Sequence, residues 1–144
     1  MDHFQRLKRM YETAPLHDFY KGIEIFIQDK QSEIQLSTDS RYHHAGNAVH
    51  GSVYFKLLDD CCYFACQSVV RDQFLVTTNF NINLLRPIFD EKLIAKGKLD
   101  FASANLFTAS GELYNEKGKL CATGQGQFVR SKVSLEDIST YDRN

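Results

Sequence analysis

The stretch HHAGNAVHGSVYFKLLDDCCYFACQSVV, residues 43–70, contains the longest helix that this sequence predicts. It opens as a glycine-containing loop, passes through His50 and Gly51, and reaches Val70 without another glycine or any proline. At about 1.5 Å per residue such a helix spans roughly 30 Å, the diameter of a small domain. Apolar residues cover most of its circumference, so we expect a mostly buried helix with a narrow polar stripe. The stripe comprises Ser52, Lys56, Asp59, Asp60, Tyr63 and Gln67.

Two adjacent carboxylates belong to this stripe. Asp60 lies four residues after Lys56 and near the centre of the stripe, which favours a solvated ion pair between the two. Asp59 lies at the edge of the stripe, beside Phe55 and Cys62, where a charge is costly unless it is paired, solvated or functional. Both an ion pair with Lys56 and a functional role remain open for Asp59.

The composition indicates one domain. A chain of 144 residues with 43% hydrophobic content can bury one core, so we predict a single domain over residues 1–144. Residues 1–19 form an N-terminal helical extension in this prediction, and residues 134–144 form a polar tail that is a short helix or disordered. A net charge of -1 with both signs mixed gives no basic field, which disfavours nucleic-acid binding. The sequence shows no signal peptide and no membrane span, so we expect a cytoplasmic protein.

The cysteine pattern fits a reducing compartment. Three cysteines fall inside the predicted helix and one in a predicted strand, a spacing that does not indicate a disulfide framework. We interpret them as buried structural thiols, because apolar surroundings raise a thiol pKa and disfavour a catalytic cysteine paired with His50. A zinc site from His43, His44, His50 and a cysteine is disfavoured by the lack of a CxxC or HxxxH unit. We therefore expect no metal and no cofactor.

The rest of the sequence predicts one short helix and six strands. Helical spacing predicts an amphipathic helix over residues 2–13, ending before Pro15. Alternation predicts the strands, and a polar loop at residues 39–49 leads into the central helix. The predicted strands are residues 23–28, 34–38, 74–86, 92–101, 104–114 and 120–130.

The sequence makes three further predictions about the strands and the loop between the last two. Alternation places Phe101 on the same face as Leu99 in the fourth strand. Residues 115–118 form a four-residue hairpin loop with glycine at its end. Gly124 and Gly126 share one face, and such small residues allow a helix or a second chain to approach closely.

These elements predict an α+β fold in which a curved antiparallel sheet wraps around one long central helix. A helix that is apolar nearly all round is best buried by a sheet that curls about it. Such a sheet has two edges that need covering. Pairing of edges in a twofold homodimer is an economical way to cover them.

One motif carries a resemblance to a known family. The segment HGSVYFKLLD, residues 50–59, resembles the HGG signature of the PaaI-like acyl-CoA thioesterases, which have the hotdog fold. His50 and Gly51 match its first two residues, Ser52 replaces the second glycine, and Asp59 falls nine residues after the histidine. The segments VTTNFNINLLRP and GKLCATGQGQFV resemble the following strand and the last hairpin of that family. The resemblance covers roughly residues 20–130.

The resemblance implies roles for four residues. Asp59 matches the catalytic carboxylate that activates water or attacks the thioester carbonyl. Thr77 matches a Ser/Thr position on the facing strand that helps to place the water, and Gly51 matches the residue whose backbone N–H polarises the carbonyl. Physical chemistry agrees with the last role, because unpaired N–H groups and the macrodipole at a helix start favour negative charge. His50 is interpreted as a loop organiser, with direct proton transfer as the alternative.

The sequence departs from the family pattern in two places. Six residues before His50 the family often has an asparagine whose amide aids carbonyl binding, whereas this chain has His44, with Asn47 three residues nearer. Either side chain is a candidate donor. Ser52 also narrows the space at the helix start. These departures bear on efficiency and substrate choice more than on fold.

The function that the resemblance implies is hydrolysis of an acyl-CoA or aryl-CoA thioester to free acid and CoA, in a site shared by two protomers of a homodimer. A dimer of dimers, that is a homotetramer, stays open. Arg86, Arg130 and Lys132 are candidates to meet CoA phosphates or are plain surface cations. The alternatives are a non-catalytic domain that binds an acyl thioester and, less favoured, an acyl-thioester hydratase or dehydratase. Aromatic residues that line an acyl pocket or belong to the core are Tyr54, Phe55 and Phe80.

Overall fold

A six-stranded antiparallel sheet packs around one long helix in the computed structural model, which describes residues 1–142. The helices are α1 (His3–Glu12), α2 (Gly51–Gln67) and α3 (Ser139–Asp142), and the strands are β1 (Glu24–Gln28), β2 (Gln31–Ser37), β3 (Gln73–Leu84), β4 (Lys92–Ala102), β5 (Leu106–Tyr114) and β6 (Leu120–Ser134). The strand order is β1-β2-β4-β5-β6-β3, and every neighbouring pair is antiparallel. The predicted α+β architecture is therefore confirmed.

The central helix α2 lies directly against the sheet backbone. Its side chains at Leu57, Leu58 and Cys61 are fully buried. Gly97 on β4 makes this approach possible, because a Cβ there would collide with the backbone carbonyl of Cys61. At Gly111 on β5 the space is tight, since a Cβ would lie 3.0 Å from Cys62 Sγ and 3.2 Å from Leu58 Cδ2. The helix is thus held at a distance that requires glycine at Gly97 and leaves little room for a side chain at Gly111.

Two strand details differ from the expectations. The face of Gly124 and Gly126 is covered by the ring of Phe80 on β3, which a Cβ would meet at 2.7 Å and 2.6 Å, and not by a helix. The close approach of a second chain to this face stays a prediction. A β-bulge between Leu99 and Phe101 inserts one residue into β4 and reverses the alternation. Phe101 is consequently 53% exposed.

The polar stripe of α2 is buried at the C-terminal end of the helix. Gln67 is completely buried and Tyr63 nearly so, although both belong to the polar stripe that the sequence predicts. The Gln67 amide accepts hydrogen bonds from the Tyr63 hydroxyl (2.8 Å) and the Leu75 N–H (2.9 Å). Its nitrogen donates to the carbonyls of Val70 and Gln73. This side chain therefore joins the end of α2 to the start of β3.

One edge of the sheet is covered and the other is open. At β1, α1 covers the edge: Lys8 donates to the carbonyl of Ile25 (2.8 Å), and Glu12 accepts from its N–H (3.0 Å). At the other edge, β3 pairs with β6 on one side, and no described strand pairs with its other side. The β3 sequence contains no charged residue, and Val76 is 40% exposed. β3 is therefore an open, uncharged edge.

Helix α1 and the last described residues pack against each other. The predicted N-terminal helix is confirmed as α1, which begins with a capping box at Asp2. The predicted tail is a short helix as far as Asp142, but it is anchored, because Tyr141 is buried and its hydroxyl lies 2.8 Å from His3 Nδ1. Arg143 and Asn144 lie outside the described residues. The hairpin loop after Tyr114 has the expected glycine, with Gly118 at a φ of +77°.

Candidate functional site

The start of α2 is organised by His50, which is its N-cap residue. His50 Nδ1 accepts the Ser52 N–H at 3.0 Å and lies 2.8 Å from the Ser52 hydroxyl. An imidazole nitrogen that accepts an N–H carries no proton, so the proton of neutral His50 is on Nε2. The structure thus places His50 as a local organiser that offers an outward N–H donor.

The backbone N–H of Gly51 is the first of α2, and among the described residues it has no hydrogen-bond acceptor. It lies at a cavity of about 350 Å³. His44 and Arg86 line the same cavity. His44 Nδ1 accepts the Gly46 N–H at 2.9 Å, which leaves Nε2 as the protonated donor. A free helix N–H and a second N–H donor therefore border one cavity.

The other two predicted binding residues lie elsewhere. Asn47 has a φ of +64°, a left-handed conformation that asparagine tolerates in turns, and it does not line the cavity at Gly51. Of the two candidate donors, the structure brings His44 and not Asn47 to the helix start. Ser52 and His50 line a neighbouring cavity of about 580 Å³ together with the stacked rings of Tyr20 and Tyr42.

Asp59 lies opposite Thr77, as the resemblance implies. The Thr77 hydroxyl on β3 donates to Asp59 Oδ1 at 3.0 Å. Burial raises the pKa of Asp59 to about 6, and the charge of Asp60 adds to the rise, while the Thr77 hydrogen bond and Lys56 oppose it. At neutral pH the carboxylate is therefore ionised and more basic than an exposed aspartate, which suits a general base.

Lys56 binds Asp60 and not Asp59. Its ammonium lies 2.7 Å from Asp60 Oδ2, so the ion pair predicted for Asp60 is confirmed and the same ion pair for Asp59 does not form. The pair is not solvated as expected, because the two side chains are only 10% and 20% exposed. Tyr11 from α1 also donates to Asp60, at 2.7 Å. Sequence reasoning missed this contact, which joins positions 49 residues apart.

Gly51 and Asp59 are two separate halves of the candidate site. They are eight residues apart on one helix, which corresponds to about 12 Å along its axis. Phe55 lies between them and is 39% exposed, with its ring 5.2 Å from the ring of Phe80. The face of α2 toward β3 therefore presents a donor, an aromatic surface and a basic carboxylate in that order.

The remaining candidates have other partners. Arg130 donates to Asp72 at 2.6 Å and to the Ala104 carbonyl at 2.7 Å, so its guanidinium is already engaged. His43 Nε2 lies 2.8 Å from Asp90 Oδ1. The four cysteines are buried free thiols, and burial raises the pKa of Cys66. Within residues 1–142 no group of three metal-ligating side chains is found, and no helix is long and apolar enough to cross a membrane.

Two comparisons with known proteins give matches, one to a family and one to a fold. The model of the thioesterase superfamily matches residues 46–122, more than half of the chain. The structure of the E. coli PaaI protein from the phenylacetic acid degradation operon superposes with a TM-score of 0.82 at 22% identity, covering 92% of this chain and 95% of that one. The architecture is thus the hotdog fold, as the resemblance implied. None of the curated proteins matches this sequence.

Two further solved structures have the same fold. A thioesterase from Haemophilus influenzae superposes with a TM-score of 0.77 at 20% identity, covering 90% of each chain. A phenylacetic acid degradation-related protein from Ralstonia eutropha superposes with a TM-score of 0.77 at 23% identity, covering 89% of this chain and 99% of that one. At these identities the likeness is one of fold.

Proposed function

The chain belongs to the thioesterase superfamily, and from that premise we propose that it hydrolyses an acyl-CoA or aryl-CoA thioester to the free acid and CoA. The observation that carries this proposal is the contact of Asp59 with Thr77, in which a half-buried carboxylate with a raised pKa is held by one hydroxyl. A carboxylate in that state is ionised at neutral pH and ready to take a proton from water.

The reaction uses two groups on opposite sides of the thioester. The carbonyl oxygen accepts the Gly51 N–H, where the helix dipole favours the negative charge that develops as the carbonyl is attacked. Asp59 takes a proton from water as the oxygen attacks the carbonyl carbon, with Thr77 fixing the carboxylate. Collapse of the tetrahedral intermediate breaks the C–S bond, and the thiolate of CoA leaves and takes up the proton. Direct attack by Asp59 on the carbonyl carbon is the alternative: it would expel the thiolate of CoA and form a mixed anhydride, and attack of water on the Asp59 carbonyl of that anhydride would leave ¹⁸O in the Asp59 carboxyl.

The separation of the two halves supports a site shared by two protomers. One carbonyl group cannot contact a donor and a base that are about 12 Å apart on the same helix. A twofold dimer removes this difficulty if each site takes Asp59 from one protomer and Gly51 from its partner. The open edge of β3, which lies beside Asp59 through Thr77, offers the surface for such pairing.

The acyl group that we favour is aromatic. The exposed ring of Phe55, one turn before Asp59 on α2, packs against the ring of Phe80 and would stack on an aryl group. Two of the similar structures are from proteins of phenylacetic acid degradation, which places aryl-CoA first among the substrates to test. Arg86, exposed at the cavity of Gly51, is the cation that we assign to the CoA phosphates. The free thiols fit the cytoplasm, where we expect the protein to act.

The decisive test is release of free CoA from short, medium, long and aromatic acyl-CoAs by the wild type and by Asp59→Asn. Release that depends on Asp59 supports the proposal. No release from any substrate, with saturable binding retained, would favour a non-catalytic acyl-thioester-binding domain, for which the replacement of asparagine by His44 is the supporting observation. A change in enoyl absorbance without CoA release would indicate a hydratase or dehydratase.

Gly51 permits a sharp test of the shared site. Gly51→Pro removes the N–H at the first helical position, where proline is well accommodated, and Gly51→Ala adds a similar Cβ but keeps the N–H. Loss of one oxyanion donor should lower kcat about 10²-fold to 10³-fold in the proline variant only. Mixing Gly51→Pro with Asp59→Asn should restore about a quarter of wild-type activity, because half of the dimers then hold one intact site. No recovery on mixing would place the whole site in one chain.

A further inference from the structure

A buried polar cluster links the N-terminal segment to the helix that carries Asp59. Lys56 donates to Asp60 Oδ2 at 2.7 Å and to His17 Nε2 at 3.0 Å. Tyr11 donates to the same Asp60 oxygen at 2.7 Å. Burial, together with the charge of Lys56, lowers the pKa of His17, which keeps that ring neutral and able to accept. The Lys56 ammonium also lies over the rings of Tyr11 and Tyr20, at 5.3 Å and 4.9 Å.

Three of these partners come from a part of the chain that the thioesterase superfamily model does not match. Tyr11, His17 and Tyr20 precede residue 46, where that match begins. Lys56 and Asp60 lie within it, on α2, one turn apart. The N-terminal segment therefore fixes the position of an ion pair whose aspartate is the neighbour of Asp59.

We propose that Lys56 and Asp60 are positioning residues for Asp59, which fix the net charge beside its carboxylate so that it stays a base at neutral pH. The inference rests on the proposed hydrolysis. The pair as a whole is near neutral, and its members are largely removed from water, so the loss of either one leaves a poorly screened charge.

Burial is the largest cause of the raised pKa of Asp59, and Asp60 and Lys56 supply the charges that act on it. From α2, Asp60 raises and Lys56 lowers the pKa of Asp59. The phenols of Tyr63 on α2 and Tyr11 on α1 also face this region, and burial keeps both protonated by raising their pKa values. β3, which packs on the other side, contributes the Thr77 hydroxyl and no charged side chain.

Two variants that break the same ion pair separate this role from simple structural support. Lys56→Met leaves the Asp60 charge uncompensated and should move the acidic limb of the kcat/KM profile to higher pH, by roughly half a unit to one unit. Asp60→Asn leaves the Lys56 charge and should move the limb to lower pH by a similar amount. Damage to the fold alone would lower activity without producing shifts of opposite sign.

Lys8→Met is the matched control. Lys8 also pairs with a carboxylate four residues away, Glu12 at 2.8 Å, and also belongs to the N-terminal segment. Its replacement changes the net charge as Lys56→Met does, but it should leave the acidic limb in place. A shift of equal size in Lys8→Met, or shifts of the same sign in the two test variants, would overturn the proposal.

A second readout separates this inference from the proposed function. Carbon-13 NMR of the Asp59 carboxyl, assigned by its absence in Asp59→Asn, reports the titration of that group without any turnover. Opposite shifts of the NMR titration in a protein that releases no CoA would support the positioning role and contradict the hydrolysis. Unchanged NMR titrations in an active enzyme would contradict the positioning role alone.

Discussion

Asp59 and Asp60 are adjacent on α2, yet their carboxylates meet different surroundings. Asp60 faces the N-terminal segment, from which Tyr11 donates to it at 2.7 Å, and Lys56, one turn earlier on α2, donates to the same oxygen at 2.7 Å. Asp59 faces β3, where one hydroxyl, that of Thr77, donates to it. The same residue type in the same helical turn is thus compensated on one side of the helix and left basic on the other. The environment, and not the residue type, therefore separates a paired carboxylate from the one that we propose as the base.

The largest expected effect is on turnover. Asp59→Asn removes the proposed base and should lower kcat by about 10²-fold to 10⁴-fold, whereas Asp60→Asn at pH 8 should stay within about tenfold of the wild type. Steady-state CoA release by both purified variants, with folding checked by circular dichroism, tests this difference. Equal losses in the two variants would remove the functional distinction between the carboxylates.

The pH dependence is the next largest effect. Because burial raises the pKa of Asp59 to about 6, kcat/KM should fall below that pH as the base becomes protonated. The loss should approach about tenfold for each pH unit below the limb. Initial rates between pH 4.5 and 8.5 measure it. A limb near the ordinary pKa of an aspartate would contradict the raised value.

Thr77 should have a smaller influence. Thr77→Ala removes the hydrogen bond to Asp59 and should lower kcat by about threefold to tenfold, in line with the loss of one hydrogen bond to a charged group. Thr77→Ser keeps the hydroxyl and should recover most of the activity. Thr78→Ala is the neighbouring control, because the Thr78 hydroxyl lies 3.4 Å from the Gln127 carbonyl and does not contact Asp59.

The smallest effect is on stability. Substitution of the two aspartates should change the free energy of unfolding in opposite directions. The pKa of Asp59 is higher in the folded state, about 6, than in the unfolded state. Ionisation of this group therefore lowers the free energy of unfolding as the pH rises from about 4 upward, and has no effect on it below about pH 4. Asp59→Asn should therefore stabilise the protein by about 1 to 2 kcal/mol at pH 8 and by little at pH 4. Asp60→Asn should destabilise it at pH 8, since Lys56 is left unpaired. Urea unfolding at both pH values provides the comparison.

The elements of the fold followed from local patterns, because strand alternation and helical spacing depend on near neighbours. The start of α2 at Gly51 and the order of helices and strands were predicted in this way. The bulge that exposes Phe101 was not, since one inserted residue leaves no mark on composition. A glycine signals that space is needed but not what fills it, which is why the Phe80 ring was missed.

Fewer contacts of the candidate site could be predicted from the sequence. The contact of Asp59 with Thr77 was expected only through the family resemblance, because periodicity places neither residue opposite the other. The contact of Tyr11 with Asp60 spans 49 positions and has no local signal. Burial of Gln67 also escaped prediction, since a lone glutamine on a helix reads as exposed until its four hydrogen-bond partners are assembled.

The four buried cysteines can report how often the folded protein opens. Three of them lie on α2 and one on β6, all without measurable exposure, so a thiol-modifying dye reaches them only when the packing around them opens. The rate of labelling therefore reports how often that packing opens. While the fold stays closed, the same dye counts the sulfur of released CoA and not that of the protein.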